Sequence, residues 1–223
     1  HETIVKENGA RLIGFGRYAG LVGAYNTFRA IGIRDGLFNL PKVESLVDFA
    51  EMKLELDKIK LPAIKIVLTG SGKVAKGAKE IVDHLNIEKV TVEEYLTKTY
   101  QKAVYCYIDV MDYNKKIDGG AFNKTEFFKD PIGYESNFMR FARVSNVLIA
   151  GHFYGENAPY LFTRDDAKQP EFHISVIGDI SCDIDGPVAS TLRASTIADP
   201  IYGYQAASEK EVPFKTKNSI TVM

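Results

Sequence analysis

Hydrophobic and polar positions alternate in a way that divides this chain into a helical first part and a strand–helix–strand second part. Arg11 to Gly16 reads as a short strand, and Arg17 to Ile33 as a helix rich in small residues. Gly20, Gly23 and Ala24 give that helix a smooth stripe, suited either to close helix packing or to a cofactor. Pro41 closes a loop. Leu46, Val47, Phe49, Met52, Leu54, Leu56 and Ile59 recur at amphipathic spacing, so the pattern predicts one long helix over 43–60, stopped by Pro62. From Ile64 the period changes: strand 64–69, helix 73–85, strand 89–92, and a further strand over 103–110. Residues 112–134 are polar and contain Gly and Lys, which reads as an insertion with a short helix at 124–129. Short buried strands follow at 147–150 and 174–177. Strands separated by helices predict an α/β fold with a doubly wound, Rossmann-like parallel sheet.

The junction at the end of the first of these strands carries the chemistry. Leu68 to Ala78 reads L-T-G-S-G-K-V-A-K-G-A, a G-x-G-x-x-A turn between a β-branched run and a helix. Gly70 permits a sharp turn, Gly72 admits close approach of phosphate oxygens, and the small Ala75 lets helix and strand pack together. Free amide groups and the positive end of the helix dipole then suit a pyrophosphate. Lys73 reads either as a phosphate neutraliser or as a solvated surface lysine. Glu93 lies 23 residues after Gly70, at the end of the strand over 89–92, where an acid would take the adenine ribose hydroxyls and favour NAD over NADP. Lys73 or Lys98 could offset that preference.

Two more strand ends are chemically equipped. After 147–150 come His152 and Phe153, in reach of the nicotinamide side of such a cofactor or simply structural. After 174–177 come Asp179, Asp183 and Asp185, which read as a hard-cation site, as a contact for a substrate ammonium or the nicotinamide edge, or as a solvated turn. No histidine sits in a metal-ligand spacing, and no metal site is assigned.

Composition narrows the field. The chain has 223 residues, 45% hydrophobic and 26% charged, with a net charge of −1 and scattered basic residues. That balance gives no footprint for nucleic acid and no attraction to a membrane surface. No apolar run has the length of a membrane span. Cys106 and Cys182 lack C-x-x-C spacing, so a cytoplasmic, reducing location is the expectation. A first residue that is not Met and a last strand-like run, Ser219 to Met223, suggest a piece of a longer polypeptide.

These segments resemble the saccharopine dehydrogenase and lysine–oxoglutarate reductase family, related to alanine dehydrogenase and the nicotinamide-nucleotide transhydrogenase. The resemblance rests on Arg11 to Gly20, Leu68 to Ala78, Ile149 to Pro159 with Leu161 to Ala167, Gly178 to Asp183, Ser195 to Ile197, and Asp199-Pro200. It implies the nucleotide-binding part of a two-domain enzyme, which reversibly reduces an imine between an amine, lysine in this branch, and a 2-oxo acid. Residues 1–60 would lead into the nucleotide domain, 61–205 would form it with an insertion around 112–145, and 206–223 would begin the return to a missing N-terminal domain. By the same resemblance Arg11 would bind a substrate carboxylate, and Phe15 would pack near the cofactor. Gly70, Ser71, Gly72, Lys73 and Val74 would cradle the pyrophosphate and Glu93 the ribose. His152, Phe153 and Asp183 would line the nicotinamide side. The catalytic lysine and histidine of that family fall outside this chain, so a fragment that binds NAD (or NADP) but turns over poorly is expected. An alanine dehydrogenase or transhydrogenase relative, and a non-catalytic nucleotide-binding module, are the alternatives.

Overall fold

The computed structural model describes residues 4–7, 12–155 and 157–223. Its helices are α1 (Gly16–Asp35), α2 (Phe49–Leu56), α3 (Lys73–His84), α4 (Val92–Thr97), α5 (Val110–Tyr113), α6 (Lys124–Lys129), α7 (Met139–Ala142) and α8 (Arg164–Ala167). Its strands are β1 (Lys65–Thr69), β2 (Glu88–Lys89), β3 (Val104–Ile108), β4 (Asn114–Lys116), β5 (Tyr134–Ser136), β6 (Val147–Ala150), β7 (Val176–Asp179), β8 (Tyr202–Gln205), β9 (Lys210–Val212) and β10 (Ile220–Val222).

Eight strands form one sheet in the order β2-β3-β1-β6-β7-β10-β8-β9, and β4 pairs with β5 separately. From β2 to β10 every pairing in the large sheet is parallel; β8 and β9 add an antiparallel edge. Both faces are covered, which is why the central strands are continuous apolar runs rather than alternating ones. Ile66 and Leu68 of β1, with Val147 and Ile149 of β6, pack against α1, α2 and α3. Val67, Leu148 and Ala150 face the other way, against Tyr95, Val110, Tyr113 and the aromatic residues of the insertion and its flank, Phe127, Tyr134, Phe138 and Phe141. The α/β, doubly wound, Rossmann-like architecture expected from the periodicity is therefore present.

Several local expectations fail for identifiable reasons. Among the described residues, 12–15 form no strand; the helix begins at Gly16. The long helix over 43–60 is interrupted. A 3-10 turn at Val43–Ser45 is followed by a fresh start at Asp48, whose side chain accepts from the Glu51 amide at 2.9 Å. A short acid that caps a helix competes with continuing one through it. The strand over 89–92 shrinks to Glu88–Lys89 for the same kind of reason. Thr91 and Glu94 form a reciprocal capping box that opens α4 instead. Likewise Asp109 caps α5 and ends β3 one residue after Ile108.

The strand order holds the most consequential difference. The neighbour of β1 is β3, not β2, in register from Lys65 opposite Val104 to Thr69 opposite Ile108. The strand that borders the glycine turn thus leads into Asp109, while β2 lies one strand further out and α4 packs on the sheet face, its Tyr95 and Lys98 carbonyls accepting from Lys65 at the start of β1.

Helix α1 belongs to this same sandwich. A Cβ on Gly20 would stand 2.0 Å from the Val74 carbonyl oxygen, and one on Gly77 would stand 2.1 Å from the Arg17 carbonyl oxygen. The smooth stripe is a helix-crossing surface. Gly23 meets Ile180, and the Thr27 side chain lies where a Cβ on Gly178 would go.

Candidate functional site

The geometry begins at Gly70, where the backbone turns at φ +101°, a conformation open to glycine and strained for other residues. A Cβ there would also come within 2.6 Å of the Gly151 carbonyl oxygen. Gly72 caps α3 without a side-chain hydrogen bond, and nothing lies within 4 Å of where its Cβ would stand. The first turn of α3 is left with amide groups that no side chain satisfies and open space before them. Below it, the fully buried Ala75 packs on Gly151, where a Cβ would find the Ala75 Cα at 3.0 Å. Small residues on both sides set how closely helix and sheet approach.

A cleft of about 620 Å³ opens over this turn. It is lined by Gly70, Ser71, Gly72, Lys73 and Val74 on one side, and by Asp109, Val110, Tyr113 and Phe128 on another. Gly151 to Tyr154 and Ile180, Ser181 and Asp183 complete it. Eight of the residues anticipated from the sequence come together here: Gly70, Ser71, Gly72, Lys73, Val74, His152, Phe153 and Asp183. Two described residues, Phe15 and Glu93, do not join them. Phe15 caps α1 and is exposed, one residue before a Gly16 that packs on Lys73 and Val74. Glu93 sits in the first turn of α4, a helix tied through its Tyr95 and Lys98 carbonyls to Lys65 at the start of β1, away from the glycine turn, rather than at a strand end. Arg11 lies outside the described residues.

Asp109 is the residue that sequence reasoning missed. It accepts from the Val110 amide at 2.7 Å, from Ser71 Oγ at 3.1 Å and from Lys124 Nζ at 2.5 Å. Partial burial pushes its pKa up, but these donors outweigh that and hold it below the usual carboxylate range. The apolar run Val104–Ile108 that stops at an acid was a visible signal. Its adjacency to β1 was not.

His152 follows β6 and turns toward the β3 side, with its ring 5.8 Å from that of Tyr113. It is buried; Thr69 Oγ1 lies 2.7 Å from its Nδ1, and its Nε2 is buried with no partner among the described residues. Burial depresses its pKa to about 4, so it stays neutral at physiological pH. The residue also lines a neighbouring cavity of about 310 Å³ beneath the insertion.

The three acids after β7 do not converge on a cation. Asp179 is buried and accepts from Ser181 Oγ and Thr191 Oγ1, both at 2.6 Å, with its pKa raised by burial despite them. Asp185 pairs with Arg164 at 2.6 Å, and Asp183 alone faces the cleft. Among the described residues no cluster of three or more His, Cys, Asp or Glu side chains is arranged to hold a metal ion.

The donor set suits a dinucleotide: unsatisfied amides at a helix start, a cradle that a side chain at Gly72 would fill, an acid beside it, and an orphaned buried ring nitrogen. Among the described residues no helix is long and apolar enough to cross a membrane.

No family model matches the chain. Across 247 residues it is 27% identical to the mitochondrial alpha-aminoadipic semialdehyde synthase of Mus musculus, covering 92% of this chain and 27% of that protein. The Bos taurus protein of the same name is 27% identical over 250 residues, again 92% of this chain. The alpha-aminoadipic semialdehyde synthase of Arabidopsis thaliana is 24% identical over 246 residues, 93% of this chain and 23% of its own length. The chain thus spans about a quarter of the length of these curated relatives. An L-alanine dehydrogenase structure aligns with a TM-score of 0.43 at 18% identity, over 90% of this chain and 47% of its own. The resemblance to the saccharopine dehydrogenase and lysine–oxoglutarate reductase family, drawn from the sequence blocks, is borne out by relatives that match nearly the whole chain.

Proposed function

We propose, from its kinship with the alpha-aminoadipic semialdehyde synthases, that this chain is the NAD(P)-binding portion of an amino-acid oxidoreductase of saccharopine dehydrogenase type. Its reaction would be the reversible reduction of an imine between lysine and 2-oxoglutarate. One observation carries the reading. The turn at Gly70–Gly72, the uncapped start of α3, Asp109 and the unpartnered Nε2 of His152 meet in one cleft at the carboxyl ends of parallel strands.

When bound there, a nicotinamide dinucleotide supplies hydride exchange. The residues of this chain bind and orient it. Amides at the start of α3 receive the pyrophosphate, and Lys73 offsets its charge. Asp109 takes the adenine ribose hydroxyls, a role the sequence pattern gave to Glu93, because Asp109 ends the strand beside β1. Ile180, Ser181 and Asp183, at the end of β7, line the nicotinamide side. His152 and Phe153 stand between the two halves, the buried imidazole as a neutral hydrogen-bonding group.

Neither His152 nor Asp109 is suited to pass protons near neutrality, one kept neutral to about pH 4 and the other kept ionised. Acid–base catalysis is therefore assigned to groups other than these two, and the substrate-carboxylate contact stays with Arg11. The chain alone binds cofactor and turns over poorly.

Isothermal titration with NADH and with NADPH tests this. Binding in the micromolar range is expected for at least one. Failure of both to bind below the millimolar range overturns the reading. Lysine with 2-oxoglutarate, against pyruvate with ammonia, then separates this activity from that of an alanine dehydrogenase in the full-length protein.

A further inference from the structure

We infer that Lys124 is a specificity-determining residue that lets this cleft accept a 2′-phosphorylated adenosine ribose as well as a plain one. The inference rests on the dinucleotide reading above and adds to it a residue from outside the nucleotide-binding motif.

Lys124 opens α6 in the insertion, and Asn123 caps that helix by accepting from the Glu126 amide at 3.1 Å. The helix is anchored by Phe127, which is buried between the rings of Phe122 and Tyr134 at 5.4 and 5.1 Å. This anchoring delivers the Lys124 ammonium to Asp109 Oδ2 at 2.5 Å, while Ser71 Oγ and the Val110 amide occupy Oδ1. The acid beside the glycine turn is therefore one half of an ion pair, not a bare negative charge.

The difference matters for recognition. An isolated carboxylate accepts hydrogen bonds from two ribose hydroxyls and repels a 2′-phosphate, which brings roughly −1.5 to −2 charge near neutral pH. With Lys124 attached, the pair is neutral in sum. Asp109, which lines the cleft, keeps its backbone and Ser71 bonds, and the flexible lysine paired with it, about half exposed at 47%, can turn to a phosphate held beside that carboxylate. Other basic residues are engaged elsewhere: Lys116 pairs with Glu126 at 2.9 Å, and Lys98 with Glu94 at 2.9 Å near the start of β1. Lys73 sits on the α1 side of the turn, its Cβ 3.0 Å from where a Cβ on Gly16 would stand. Lys124 is thus the cation placed to decide between the two ribose forms.

The test is a titration of the chain with NADH and NADPH, repeated with Lys124→Ala and Lys124→Arg. Thermal melting checks that each variant folds. Wild type is expected to bind both dinucleotides within about tenfold of each other. Lys124→Ala should weaken NADPH by roughly 10- to 100-fold, the range of one charge-assisted contact, and leave NADH within about threefold. Lys124→Arg should keep NADPH binding, with a steeper dependence on salt than NADH shows in either protein. An unchanged NADPH-to-NADH ratio in Lys124→Ala overturns the inference alone. Wild type rejecting NADPH by more than about 100-fold does the same. Binding of neither dinucleotide overturns the dinucleotide reading and this inference together.

Discussion

Thr69 Oγ1 lies 2.7 Å from His152 Nδ1, a contact that joins the last residue of β1 to the loop after β6. Both residues are buried, and the ring's other nitrogen has no partner. The contact aims the imidazole toward Tyr113 and fixes the wall of the cleft beside the glycine turn.

Removing the hydroxyl should be felt in the fold before it is felt in binding. Thr69→Val leaves a second buried ring nitrogen unsatisfied, a loss of about 1–3 kcal/mol. For a chain of this size that corresponds to a melting point lower by roughly 2–10 °C. Unchanged melting would show that the hydroxyl does not hold the ring.

His152 also predicts a pH dependence. Its folded pKa of about 4 lies below the ordinary value of 6.5, so between those limits the unfolded chain binds more protons than the folded one. Stability from this residue is complete above about pH 6.5 and is lost as pH falls toward 4. Denaturant unfolding at pH 7.5 and pH 5 should show His152→Gln losing about 1–2 kcal/mol less than wild type over that interval. Equal losses in both proteins would mean the imidazole is protonated in the fold.

The two glycines of the turn should separate stability from binding. Gly70→Ala meets both a positive φ and the Gly151 carbonyl oxygen at 2.6 Å, so it should lower the melting point and abolish dinucleotide binding. Gly72→Ala meets nothing within 4 Å and has an ordinary backbone conformation. It should melt as wild type does and bind NADH at least about tenfold more weakly, because its methyl group occupies the phosphate space. A Gly72→Ala protein that binds normally would remove the pyrophosphate from this turn.

The assignment of the ribose acid is tested by a matched pair. Asp109→Ala should weaken NADH by about tenfold or more, with a smaller stability loss of roughly 1 kcal/mol from the α5 cap. Glu93→Gln should leave titration curves unchanged. The reverse pattern would return the role to Glu93.

At the crossing of α1 and α3, Gly20→Ala should destabilise by at least about 1–3 kcal/mol, because the Val74 carbonyl oxygen already stands 2.0 Å from the added carbon. Melting curves with and without NADH would show whether the displaced helix still binds.

The parts of this fold legible in the sequence are those fixed by neighbours along the chain. The β1–turn–α3 unit followed from one apolar run, two glycines and a small alanine. The covered faces of β3 and β6 followed from their uninterrupted apolar stretches. Capping was legible in principle and was outvoted by periodicity, since Thr91-Val92-Glu93-Glu94 carries a capping box inside a strand-like pattern and Asp48 breaks an amphipathic one. Strand order was not legible. Nothing local to Val104–Ile108 says that it, and not Glu88–Lys89, lies against β1, and so the acid of the expected second strand was chosen over Asp109. The direction of the His152 ring depended on the same hidden adjacency, because its partner Tyr113 follows β3. For Gly20, sequence alone could not distinguish a stripe facing a helix from one facing a cofactor; the position of Val74 decides it.

The reciprocal contact of Gly20 with Val74 and of Gly77 with Arg17 leaves no slack between the backbones of α1 and α3. Close-packed surfaces of this kind transmit displacement instead of absorbing it. A tilt at the N-terminal end of α1 is thereby a movement of the first turn of α3. The helix that precedes the glycine turn in the chain is coupled to it, and a displacement at that end of α1 is carried to the turn through two glycines.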